Sequence, residues 1–281
     1  MKFLIFLIFL LFPYLSFAQI PVKEIKNEEV WQGKIFIDGI VAVRNSGKLI
    51  IKEGTEVIFK TIDIDDDGIG DSELYVEGEI YVYGTENFPV IFTSDKPVKE
   101  PSQWKYVMVN HAKYAYFEHA IFESAFSGLQ IHFTKGVVKN CIFRSNVDGF
   151  RFSTANIYVC NNIMTKNKHG IRYEERDSKG IIEYNHIFDN EIGIFPVTAC
   201  YNMVIFQYNA IEKNGYNIKV GYEQKKDLTF KNNYFGMVFE RDIKKTIYDK
   251  NHDKHLPKVN FKPFLKKNIL RSRIKCLENG Y

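Results

Sequence analysis

Asn140-Cys141-Ile142-Phe143, Asn161-Asn162-Ile163-Met164, Asn185-His186-Ile187-Phe188, Asn209-Ala210-Ile211-Glu212 and Asn233-Tyr234-Phe235-Gly236 are five versions of one four-residue pattern. Their leading asparagines recur at intervals of 21, 24, 24 and 24 residues. A second asparagine follows in four of the units (Asn146, Asn167, Asn190, Asn214), and then Gly149, Gly170 or Gly193, with Asn217 in that slot last. An earlier unit, His119-Ala120-Ile121-Phe122 leading to Gly128, keeps the 21-residue step with His in place of Asn. A fixed period of about 20–25 residues is the mark of a solenoid.

The residues after each glycine say which solenoid. Leu129, Phe150, Ile171 and Ile194 stand one position past it, and Ile131, Phe152 and Tyr173 three past. Between and beyond them lie Gln130, Arg151 and Arg172, then His132, Ser153 and Glu174. This is period-two alternation, the pattern of strands with one buried face. Val137, Tyr158, Ile182, Phe206 and Phe230 supply a further apolar position ahead of each leading asparagine. Short strands and tight turns repeating every 21–24 residues predict an all-β chain, a right-handed parallel β-helix of about nine coils. Asparagine suits this repeat because it tolerates the left-handed turn conformation and its stacked amides can hydrogen-bond from coil to coil.

Toward the N-terminus the alternation continues through Ile35, Ile37, Val41, Val43, Leu49, Ile51, Val57 and Phe59. Gly54-Thr55 and Gly84-Thr85 each lead into a similar run, Val57-Ile58-Phe59 and Val90-Ile91-Phe92. The two pairs are 30 residues apart, and removing the nine residues 63–71 leaves one coil of 21, so the acidic stretch reads as an insertion at a turn.

Composition agrees with an ordered protein and narrows its class. The 281 residues are 45% hydrophobic and 26% charged, and a net charge of +4 is too small to imply a nucleic-acid partner. Of 22 asparagines, 14 fall between positions 140 and 233, which argues against helix there. Lys2, the apolar run 3–12 and Ser16-Phe17-Ala18 ahead of Gln19 read as a secretory signal over residues 1–18. The mature chain is then secreted or periplasmic, with no transmembrane segment after cleavage. It divides into a β-helix over 19–240 and a basic C-terminal capping segment over 241–281, the latter net +8 and the former −5. In that segment Pro263, Phe264, Leu265, Ile269, Leu270, Ile274 and Leu277 predict a short amphipathic helix that covers the open end of the solenoid.

With those motifs in place, the chain resembles a family. Trp31-Gln32-Gly33, Gly54-Thr55, Asp71-Ser72-Glu73-Leu74, Gly84-Thr85, Ile91-Phe92-Thr93-Ser94, the Asn-Ile repeats and Asn232-Asn233-Tyr234-Phe235-Gly236 look like exported bacterial proteins with right-handed parallel β-helix repeats. The likeness covers roughly 31–265. It implies the fold and the compartment. Its members include carbohydrate-binding and sugar-cleaving proteins and a periplasmic copper-maturation branch, so activity does not follow from it.

Two places could carry chemistry. Asp63-Ile64-Asp65-Asp66-Asp67-Gly68-Ile69-Gly70-Asp71 puts carboxylates at loop positions 1, 3, 5 and 9 with glycine at 6, as at the front of a calcium loop. Asp63, Asp65, Asp67 and Asp71 with the carbonyl of Ile69 are the expected ligands of a structural Ca2+, although Leu74 at position 12 excludes an EF-hand. The second is the outward strip Gln130, Arg151 and Arg172 beside His132, Ser153 and Glu174, flanked by Asp148 and His169. Successive coils are about 4.8 Å apart, so these columns are contiguous, and arginine beside carboxylates suits acidic sugars. The expected role is non-catalytic binding of a polysaccharide or another cell-envelope component. A polysaccharide lyase or glycoside hydrolase is the first alternative, weakened because Asp148 and Glu174 are isolated rather than paired across a bond. A periplasmic copper-maturation scaffold is the second, with the histidines in separate columns. Of the cysteines 141, 160, 200 and 276, the first two are offset by two residues from one coil and stand about 8 Å apart, which disfavours their pairing and leaves the rest open.

Overall fold

The computed structural model describes residues 20–270 and 276. The signal segment 1–18, and Ile274 and Leu277 of the expected C-terminal helix, lie outside the described residues. Among those described, almost every element is a short strand in one of three long parallel sheets of ten, eight and eight strands. The chain visits the sheets in rotation. Ala125–His132 lies in the first sheet, Lys135–Lys139 in the second and Ile142–Arg144 in the third, before Asp148–Ser153 returns to the first. This is a right-handed parallel β-helix, the hand that parallel crossovers adopt.

Inward side chains stack in files. Phe92, Phe122 and Phe143 lie with ring centroids 4.7 and 4.9 Å apart and nearly parallel planes, all fully buried. Leu129, Phe150, Ile171 and Ile194 form a second file in register, and Ile131, Phe152 and Tyr173 a third. Because every coil buries one face of each strand, the core is a continuous column along the axis.

Three corners separate the sheets, and most of their turns use one two-residue device. A residue with positive φ turns the chain, and the next residue points into the corner. At the corner between the second and third sheets the turning residues are His119, Asn140, Asn161, Tyr184, Tyr208 and Asn232, with φ from 48° to 60°. The residues that follow them are Ala120, Cys141, Asn162, Asn185, Asn209 and Asn233. The buried ladder therefore runs Asn162, Asn185, Asn209, Asn233, each side-chain Nδ2 donating to the Oδ1 of the next at 2.9 Å. Asn140, half-buried, and Asn161, exposed, stack on each other outside it, with Asn161 Nδ2 donating to Asn140 Oδ1 at 2.7 Å. The sequence repeat places Asn140, Asn161, Asn185 and Asn209 in one file; the structure splits it by one residue. The second ladder, Asn146, Asn167, Asn190 and Asn214, stands as read. The corner between the first and second sheets carries its own, unanticipated version: Thr134, Ser178 and Gln224 side chains accept from the backbone N–H of Ala112, Ala155 and Cys200.

Other expectations shift for related reasons. Val137 and Tyr158 point outward and form a satellite cluster with Cys160, so the interior file is Val138, Val159, Ile182 and Phe206. Val57 pairs with Phe92 rather than Val90: Lys52 pairs with Tyr83 and Glu56 with Ile91, so the turn around Phe88 is four residues longer than its counterpart one coil earlier. The acidic stretch does lie in a long connection, between strands Glu56–Phe59 and Glu73–Val76. It packs on the equivalent connection of the next coil, where Gly70 N donates to Ser102 O at 2.8 Å.

At the C-terminal end no helix forms among residues 263–270. Pro263 follows Lys262 through a cis peptide bond, and Leu265 makes a parallel bridge to Tyr234, continuing the third sheet's line instead. The helix of this region is Glu240–Lys245, which buries Ile243. The first sheet also runs past position 240, since Ile247–Tyr248 pairs with Tyr216–Lys219 as its last strand. Cys160 and Cys276 form a disulfide that fastens the tail to the outside of the second sheet. No helix among the described residues is long and apolar enough to cross a membrane.

Candidate functional site

The outer face of the first sheet is set by a local irregularity. Ser127 pairs with Asp148 and Leu129 with Phe150, while the intervening glycines interrupt the alternation. A Cβ on Gly149 would sit 2.7 Å from the Gly170 carbonyl oxygen and 3.2 Å from the Phe143 side chain, so this position faces inward and admits only glycine. Phe150 is also buried in the core. Two consecutive inward residues leave Asp148 and Arg151 on the same outer face, three apart in sequence.

Asp148 is the centre of this face and is fully buried. Its Oδ1 lies 2.7 Å from His169 Nδ1, one coil on. Its Oδ2 is 3.4 Å from Arg172 Nη1 and 4.0 Å from Arg151 Nη1. One carboxylate thus stands against two guanidinium groups in adjacent coils. Burial and the neighbouring Arg172 charge push the Arg151 guanidinium below its ordinary pKa. Arg172 Nε and Ser127 Oγ are buried and have no partner among the described residues. His169 stacks on Phe195 with ring centroids 5.0 Å apart. Phe195 is the next member of the arginine file, which reads Gln130, Arg151, Arg172, Phe195.

The parallel file holds His132, Ser153 and Glu174. His132 Nε2 is 3.2 Å from Gln130 Oε1, and burial, with the Arg151 charge second, pushes its pKa down to about 4. The imidazole is therefore neutral in the folded chain at neutral pH. Glu174 turns away from the strip, taking both Nε and Nη2 of Arg176 on its Oε2 at 3.0 and 2.8 Å. The strip is more enclosed than an ordinary solvated face: Gln130, Ser153 and His169 are all buried. Phe195 and Ser127, which the sequence pattern did not single out, complete it; counting one 21-residue coil back from Asp148 would have found Ser127.

The acidic loop gathers part of its expected ligand set. Carboxylate oxygens of Asp63, Asp65 and Asp71 lie within 4.8 Å of one another. Asp67 points elsewhere, accepting from Ile69 N at 2.8 Å, while Asp63 accepts from Asp67 N and Gly68 N at 3.2 and 2.9 Å. Gly68 at φ +82° makes the sharp turn. Among the described residues, no other group of three His, Cys, Asp or Glu side chains could converge on one ion. An all-oxygen set suits a hard cation, not copper.

The remaining histidines and thiols stay apart. His111 stacks on Phe133, and His186 pairs with Glu212 Oε1 at 3.1 Å. Cys141 and Cys200 are buried free thiols whose pKa burial pushes up to about 12, so neither is a ready nucleophile or metal ligand.

Comparison with known proteins returned one family: the model described as periplasmic copper-binding protein (NosD) matches residues 60–254. No curated protein and no solved structure matches the chain.

Proposed function

The chain belongs to the NosD family of periplasmic copper-binding proteins, and on that footing we propose that it is a non-catalytic periplasmic scaffold whose binding surface is the outer strip of the first sheet. The observation that carries this reading is the imbalance at Asp148. Asp148 is the carboxylate in contact with Arg151 and Arg172, Glu174 adds a longer-range attraction to Arg151 while hydrogen-bonded to Arg176, and one Arg172 donor has no acceptor among the described residues, so the strip can take an anion from outside. Carboxylate groups of an acidic polysaccharide, or an anionic envelope component, fit that chemistry. Gln130 and Ser153 add polar groups for hydroxyls, and Phe195 adds an aromatic ring at the end of the arginine file. A hydrolase or lyase is not favoured, since Asp148 is fully buried and hydrogen-bonded to His169, and Glu174 is taken up by Arg176. Exchanging both arginines for glutamine should weaken retention on alginate or polygalacturonate in affinity electrophoresis at least tenfold. Equal retention by the double variant would remove the strip from consideration.

Copper handling is the second reading, and the family description is what favours it. His169, held at Nδ1 by a carboxylate, has the arrangement common behind metal-bound imidazoles, but no second soft donor joins it among the described residues. Copper recovered stoichiometrically with protein isolated from the periplasm would favour this reading over the first.

For the acidic loop we propose Ca2+ held by Asp63, Asp65 and Asp71 with the Ile69 carbonyl, stapling the inserted connection. The three converging carboxylates support it, because they repel one another unless a cation intervenes. Saturating chelator should then lower the melting temperature by several degrees, restored by added Ca2+. Superimposable melts would argue against the ion.

A further inference from the structure

The C-terminal end holds a cavity of about 490 Å³ that none of the readings above uses. Its floor is a two-stranded parallel sheet, Leu228–Thr229 paired with Val259–Asn260. Alternation decides what each face presents. Leu228, Phe230, Val259 and Phe261 are buried and alternate with Thr229, Lys231, Lys258, Asn260 and Lys262, which line the cavity; Val259 and Phe261 also border it. The Glu240–Lys245 helix closes the opposite wall with Glu240 and Lys244. Glu240 is the cavity's single acidic residue and is already engaged, at 2.9 Å from Lys244 and 2.6 Å from Lys262. Lys231 and Lys258 have no ion pair among the described residues, although they face the same space.

Four ammonium groups against one spoken-for carboxylate leave a positive concavity. Its size suits a monosaccharide-scale ligand. Lysine binds phosphate as a compact point charge with three rotatable donors, so several lysines around one concavity can share a phosphate's oxygens. We propose that this cavity is a second binding site, distinct from the arginine strip, for a phosphate group carried on a sugar-sized body. Lys231 and Lys258 bind the phosphate, and Asn260 and Thr229 serve hydroxyls beside it. The phosphate can belong to a soluble sugar phosphate or to the headgroup of an envelope lipid.

The test uses the mature full chain and its Lys231→Gln/Lys258→Gln variant. Both residues are exposed, so the variant should melt with the parent. One arm titrates glucose 6-phosphate, with glucose as control, by calorimetry. The other measures sedimentation with vesicles of phosphatidylglycerol, with phosphatidylcholine vesicles as control. Saturable, salt-sensitive binding in either arm that falls at least tenfold in the lysine variant, and persists in Arg151→Gln/Arg172→Gln, supports the site and names the source of the phosphate. No binding in both arms, or binding indifferent to the two lysines, overturns it. Because the arginine variant is scored separately, loss of the strip's ligand leaves this outcome untouched.

Discussion

Asn185→Leu should lower the unfolding free energy by about 3–5 kcal/mol, whereas Asn140→Gly should leave it within about 0.5 kcal/mol. Both residues carry the same label in the sequence repeat, yet their positions differ completely. Asn185 is fully buried, and its Nδ2 donates to Asn209 Oδ1, Val159 O and Glu183 O at 2.9, 3.1 and 3.0 Å. Its Oδ1 accepts from the Asn162 backbone N–H and Nδ2, both at 2.9 Å. Leucine keeps the branched shape, with somewhat larger methyl ends, and deletes every one of these bonds, leaving the Asn162 N–H and the Val159 carbonyl short of a partner inside the corner. Each stranded buried group costs about 1–3 kcal/mol. Asn140 is at φ 57° and half-buried, its amide at the outer surface of the corner, so glycine preserves the turn and forfeits only the outer pair with Asn161. Urea unfolding followed by circular dichroism checks both. An Asn185→Leu variant within about 1 kcal/mol of the parent would show that the amide file is ornamental to the fold.

Removing the disulfide should cost a similar amount by a different route. Cys160 and Cys276 are separated by 116 residues, so the link closes a very long loop in the unfolded chain. On the chain-entropy account, such a loop stabilises by about 4–5 kcal/mol. Cys276→Ser should lower stability by about that much, and reductant should bring the parent down to the variant's midpoint while leaving the variant unchanged. A parent insensitive to reductant would contradict the link's contribution. The partner residue sits in the outward cluster of Val137, Tyr158 and Cys160, and Tyr114, Tyr116 and Tyr184 pack around it. The bond therefore fastens the tail across the second sheet at its aromatic patch. Such a bond persists in the oxidising periplasm.

The candidate site was half legible. Residues 130, 151 and 172, and 132, 153 and 174, share files because a constant 21-residue step makes register countable. The asparagine files were harder to phase, since the step lengthens to 23 between Asn162 and Asn185. Two extra residues at the corner around Arg176 cause that change, and a reading from Asn161 hides it inside an interval of 24. The burial of Asp148 was not legible either. It depends on Gly149 and Phe150 both turning inward, an irregularity that pattern counting treats as a continued strand. The amphipathic reading of 263–270 failed because its apolar residues are spent on the third sheet's line, where Leu265 bridges Tyr234. Tertiary pairing overrode a local helical period there.

What the linear order of residues settled alone was the architecture: strands from alternation, coils from the repeat length, turns from asparagine and glycine. These are local rules, enforced by backbone sterics and by the two-residue pleat. Which asparagine of each corner is buried, which cysteines meet, and which lysines share a cavity depended on distance in space between residues far apart in the chain. A shift of one residue at a corner exchanges a solvent-facing amide for a buried one, and only the stacked coils, through the hydrogen bonds that burial demands, choose between them.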